Sequence, residues 1–145
     1  MRIRNVAMPI IGLALAGALV APVTASSAVP VAPKAVSVAS SAKLGLQGAS
    51  AIITGNYKCA PGTPGAFVSG KLAQNIDGHQ LARASAVQSP IVCDGTTQAV
   101  RLFMDDNAIP FKKGEAAAMA TLGEDGPNAG VISISTGYVP VHLKK

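Results

Sequence analysis

The chain has 145 residues, 49% of them hydrophobic but only 3% aromatic, with twelve basic against seven acidic residues and a net charge of +5. That length suits one folded domain. The cations are scattered, with Lys112-Lys113 and Lys144-Lys145 as the adjacent pairs, so the basic, aromatic-studded surface of a nucleic-acid binder is not expected.

At the N-terminus, Arg2 and Arg4 precede an apolar run from Val6 to Val23 that closes on small residues, the three-part layout of a secretory signal. Residues 1–25 are read as a signal peptide cut after Ala25, with Ser26-Ser27-Ala28 as a second small-residue site. The protein is therefore expected to be secreted and extracellular, with association at the cell surface in view. About 18 apolar residues also approach the span of a bilayer, so an uncleaved signal is the alternative and the one expected route to a membrane. Removing Arg2 and Arg4 leaves ten basic residues against seven acidic, a charge of +3, enough for a weak attraction to acidic wall polymers.

Residues 26–43 are rich in Ser, Ala, Val and Pro, and side chains this small bury too little to offset the entropy of ordering. They read as a disordered Ala/Ser/Pro linker that holds residues 44–145, the folded domain, away from a surface. Tyr57, Phe67, Phe103, Phe111 and Tyr138 are its aromatics, leaving aliphatic side chains to fill a thin core. In an oxidising compartment Cys59 and Cys93 are most simply paired, a staple such a core needs.

From Leu44 onward short apolar segments alternate with Gly, Pro, Asn and Asp, mostly at a period of two, which is the pattern of strands and turns. Ala51, Ile53, Tyr57 and Cys59 share one face. So do Ala66, Val68, Gly70, Leu72 and Gln74, then Val100, Leu102 and Met104, and finally Ile132, Ile134 and Tyr138. An edge strand is expected over His79–Val87. Glu115–Leu122 has helix propensity but also alternates, and its surroundings favour a strand. Asp77-Gly78, Asp94-Gly95 and Asp125-Gly126 suit hairpin turns and predict antiparallel neighbours. The expected fold is all-β: a single antiparallel, immunoglobulin-like β-sandwich of seven or eight short strands with one disulfide, a barrel being the alternative.

Gly55-Asn56-Tyr57-Lys58-Cys59, Gln74, Val92-Cys93-Asp94-Gly95-Thr96 and Phe111-x-x-Gly114-x-Ala116 together resemble a family of small exported actinobacterial proteins of unknown function. The resemblance covers roughly 49–122. It implies an immunoglobulin-like sandwich with a two-cysteine core, and implies no activity and no site residues.

No arrangement of residues commits the chain to a reaction. His79 and His142 stand apart from each other and from any nucleophile motif, so a small hydrolase is the least favoured reading and the protein is expected not to be an enzyme. No Cys-x-x-Cys or spaced His set suggests a metal or other cofactor, and Asp105-Asp106-Asn107 offers too few spaced oxygens for calcium. A binding or cell-surface module is the leading expectation, with a cell-wall polymer, a glycan or an extracellular protein as its partner. Two loops are the candidate sites: Pro61, Thr63 and Pro64 beside Cys59, and Ile109, Phe111, Lys112 and Lys113 before Gly114. A secreted protease inhibitor is the alternative, since Lys112 or Lys113 would suit a trypsin-like pocket.

Overall fold

The computed structural model describes residues 34–105, 108–126 and 130–145, so the signal segment and the linker as far as residue 33 lie outside them. The described chain is all-β, with strands β1 (Ala35–Val38), β2 (Ser41–Gly45), β3 (Ser50–Lys58), β4 (Phe67–Ile76), β5 (Gln80–Gln88), β6 (Gln98–Met104), β7 (Gly114–Asp125), β8 (Val131–Ser135) and β9 (Val139–Lys144). A short 3-10 turn, Leu46–Gly48, joins β2 to β3. The strands form one mixed sheet in the order β1-β3-β2-β9-β7-β4-β5, with β6 on the far edge of β3 and β8 on β7.

The sheet is not purely antiparallel as expected. β2 pairs antiparallel with β3 on one edge and parallel with β9 on the other, where Ser41 lies opposite His142. A parallel pair needs a long connection, and here almost the whole domain lies between its two members.

Residues 34–43 are not part of a disordered linker. Ala39 N–H donates to the Thr54 carbonyl at 2.9 Å, and His142 N–H donates to Ser40 at 2.8 Å. Backbone pairing of this kind needs no large side chains, which is why composition alone misjudged the segment. Gly55 makes the approach of β1 possible, since a Cβ there would sit 2.0 Å from the Ser37 carbonyl oxygen.

Nine strands among the described residues replace the expected seven or eight because two edges are built from interrupted pairs. β1 and β2 share one edge of β3, and β8 and β9 share one edge of β7. In the second break, Thr136 N–H donates to the Ala120 carbonyl and Thr136 Oγ1 accepts from Ala120 N–H, at 3.0 and 3.1 Å. Glu115–Leu122 lies within β7, so alternation prevailed over helix propensity once β4 and β9 flanked it. β5 is an edge strand, as expected.

The inward positions read from the period-two pattern are buried in β3, β4 and β6: Ala51, Ile53, Tyr57 and Cys59; Ala66, Val68, Leu72 and Gln74; Val100, Leu102 and Met104. β4 meets β3 and β6 at Gly70, where a Cβ would lie 2.5 Å from Leu102 Cδ1 and 2.8 Å from Ile53 Cδ1. Val141 and Leu143 of β9 complete the same core. The pattern misjudged the end of the chain, because Ile132 and Tyr138 are exposed on or beside the outermost strand.

Cys59 and Cys93 form a disulfide with their Cα atoms 5.1 Å apart. Tyr57 Oη donates to the Val92 carbonyl at 3.2 Å, a second tie between β3 and the same strap. Asp77-Gly78 turns β4 into β5 as expected, with φ of +53° and +77°, whereas Asp125 still pairs with Val131 at the end of β7 and residues 127–129 lie outside the described ones. Asp94-Gly95 does not make a hairpin. It lies in the connection from β5 to β6, which pair with different partners.

Candidate functional site

The two loops singled out in the sequence lie at opposite ends of the molecule. Pro61, Thr63 and Pro64 sit where β3 ends and β4 begins, beside the disulfide; Ile109, Phe111, Lys112 and Lys113 sit where β7 begins, beside the β4–β5 hairpin and the end of β9. They do not form one site.

At the disulfide end the loop is a compact turn. Thr63 Oγ1 donates to the Ala60 carbonyl at 2.6 Å, Gly62 N–H to Cys93 at 3.2 Å, and Gly95 N–H to Cys59 at 3.1 Å. Asp94 caps the neighbouring turn by accepting from Thr96 N–H, Thr96 Oγ1 and Gln98 Nε2. These donors favour the ionised carboxylate and hold the Asp94 pKa below its usual 3.8. The stabilisation is therefore complete above the ordinary carboxylate range and is lost as pH falls through the lowered value. A carboxyl-detected NMR titration should show Asp94 protonating below the ordinary carboxylate range, and Thr96→Ala should move its midpoint upward. Equal midpoints in both proteins would contradict this account of the turn.

The other end is built around a buried amide. Gln74 is 5% exposed and is the one buried polar side chain among the described residues. Its Oε1 accepts from Lys112 N–H at 2.8 Å, and its Nε2 donates to the Lys112 carbonyl at 2.9 Å and to the Glu115 carbonyl at 3.2 Å. The side chain thus stands in for a strand, holding the loop where β7 has not yet begun. Phe111 is only 2% exposed, and its N–H donates to the Gly48 carbonyl at 2.9 Å. Gly48 is required there: its φ is +92°, and a Cβ would lie 2.1 Å from the Phe111 carbonyl oxygen.

Anchored in this way, the loop lines a cleft of about 640 Å³ with Leu44, Gln47, Gly48 and Lys145. Leu44 and Phe111 give it an apolar back, while the exposed side chains of Lys112, Lys113 and Lys145 stand at its rim. Lys112 Nζ also pairs with Asp77 at 2.7 Å, an exposed contact of small energetic weight that leaves the rim cationic. Ile109 packs against the core and is not among the cleft residues.

The clamp bears on the inhibitor reading. A substrate-like inhibitor presents the carbonyl of its specificity residue to the protease's oxyanion donors. The Lys112 carbonyl instead turns inward to Gln74.

His142 has a neighbour that the sequence hid. Its Nδ1 lies 2.7 Å from Glu115 Oε1 on β7, and Ser41 is its register partner on β2. The order Glu-His-Ser across three strands resembles a relay. Ser41 makes no hydrogen bond to the ring, and the His and Glu side chains are largely exposed. Catalysis of that kind needs an aligned nucleophile and a shaped oxyanion site.

A second concavity, of about 630 Å³, lies on the outer face of β4, β5 and β7. Ala73 and Ala117, directly opposite in register, form its floor, and Leu81, Arg83, Lys71 and Tyr138 stand around it. Its signal in the sequence was alanine at outward positions of two strands, unreadable without their pairing. Among the described residues no three His, Cys, Asp or Glu side chains converge as a metal site would require; Asp106 and Asn107 lie outside those residues. Compared with protein-family models, curated proteins and solved structures, the chain matches none.

Proposed function

We propose that the protein is a secreted, non-catalytic binding module that holds an acidic extracellular polymer in the cleft between Leu44, Phe111 and the lysines 112, 113 and 145. The observation that carries this reading is the Gln74 clamp. A buried amide in an otherwise apolar core makes two bonds to Lys112 and one to Glu115 at the start of β7, bracketing the segment that presents Lys112 and Lys113. Preorganising a cationic loop lowers the entropy that binding would cost, and three ammonium groups above an apolar wall suit a chain of anionic groups better than a neutral solute.

Export is our reading of the N-terminal apolar segment, and the disulfide is compatible with an extracellular location. An immunoglobulin-like sandwich is our reading of the strand order. On this reading β1, β2, β3 and β6 would make one layer and β9, β7, β8, β4 and β5 the other, the parallel β2–β9 pair joining them within the single sheet. The contacts at Gly70 support this.

Affinity chromatography of the mature protein on immobilised polygalacturonate and on immobilised polyphosphate tests the reading and separates a carboxylate from a phosphate partner. The wild type should be retained at about 0.15 M salt, where long-range attraction between exposed charges is largely screened. Lys112→Ala/Lys113→Ala should elute earlier, and Lys71→Ala/Arg83→Ala should elute with the wild type. Co-elution of the cleft variant with the wild type would refute the assignment.

A further inference from the structure

The free edge of β5 has the pattern of a self-pairing strand. Among the described residues β5 pairs only with β4, leaving a nine-residue edge outside any second ladder; residues 86–89 share a cleft with residues 101–103 of β6. Exposed edges of this length are usually blunted by lysine, proline or a bulge. β5 reads Gln-Leu-Ala-Arg-Ala-Ser-Ala-Val-Gln, carries Arg83 as its one charge, and pairs with β4 without interruption from Gln80 to Gln88.

The sequence is also nearly a palindrome about Ala84. We propose that this edge pairs antiparallel with the same edge of a second copy, about a two-fold axis at Ala84. Gln80 then meets Gln88, Leu81 meets Val87, Ala82 meets Ala86 and Arg83 meets Ser85, each across the axis. Odd positions meet odd positions, so the exposed face, Leu81, Arg83, Ser85 and Val87, continues from one copy to the next. The inward alanines 82, 84 and 86 do the same. Leu81 and Val87, 43% and 67% exposed, cover each other, and no like charges stand directly opposite. A closed two-fold pairing also uses up the edge, so the assembly stops at two.

Ser85 gives a test because its side chain is exposed; its register partner within the protomer is Lys71, so thermal melts of both variants separate any change in the fold from a change in pairing. Sedimentation velocity over a concentration series should show a monomer–dimer equilibrium. Ser85→Glu places a carboxylate opposite Arg83 twice per dimer and should lower Kd about three- to tenfold, whereas Ser85→Arg should raise it by a similar factor. A protein that stays monomeric up to millimolar concentration, or a dimer whose Kd responds to neither substitution, overturns the proposal. Circular dichroism matching the wild type for both variants excludes misfolding as the cause.

Discussion

Replacing Cys59 and Cys93 together by serine is expected to lower the unfolding free energy by about 3–4 kcal/mol, the loop-closure value for a crosslink spanning 34 residues. For a domain of this size that corresponds to a fall in Tm of roughly 15 °C. The effect should be large because the core is aliphatic: of its aromatic residues only Tyr57 and Phe111 are buried. The bridge is also the anchor for local bonds, since Gly62 and Gly95 donate to the carbonyls of Cys93 and Cys59 themselves. Thermal melts of the double variant and of the oxidised wild type measure the difference directly. A loss below about 1 kcal/mol would mean that packing and the Tyr57 hydrogen bond already hold the strap in place.

The second large effect is expected at Gln74. Gln74→Leu conserves bulk but strips partners from Lys112 N–H, the Lys112 carbonyl and the Glu115 carbonyl, and should cost about 2–4 kcal/mol. Gln74→Glu is the sharper probe: a carboxylate still accepts from Lys112 N–H but cannot donate to either carbonyl. Amide exchange at Lys112 should accelerate strongly in the leucine variant and less in the glutamate variant, while core amides of β3 and β6 keep their relative order. Retention on the polyanion matrices should also fall in the leucine variant although every lysine remains. Unchanged exchange at Lys112 would show that the Phe111–Gly48 bond, not Gln74, holds the loop.

The readable parts of the fold were those in which one strand reports its own faces. Val68, Leu72 and Gln74, or Val100, Leu102 and Met104, alternate with exposed residues along a single segment, so local sequence sufficed. What depends on pairing was hidden. Ala35–Val38 resembles a linker until Gly55 admits it to β3, and the parallel meeting of Ser41 with His142 joins residues about a hundred positions apart. The cysteine pair was legible because two thiols have one intramolecular solution. For the site, Phe111, Lys112 and Lys113 were picked out locally, but Leu44, Gln47, Gly48 and Lys145 come from distant segments. Gln74 was visible as a polar residue on an apolar face, which is the trace a buried clamp leaves in a sequence.

The central claim is that Gln74 fixes a lysine-rimmed cleft for an acidic chain. Chemical-shift mapping of the mature protein during titration with a short oligogalacturonate tests it most directly. The account predicts saturable shifts at Gln47, Gly48, Lys112, Lys113 and Lys145 that persist at about 0.15 M salt. Shifts confined to Lys71, Arg83, Ala117 and Tyr138 would place the site on the outer face instead, and small shifts at every exposed lysine that vanish in salt would leave charge without a shaped site.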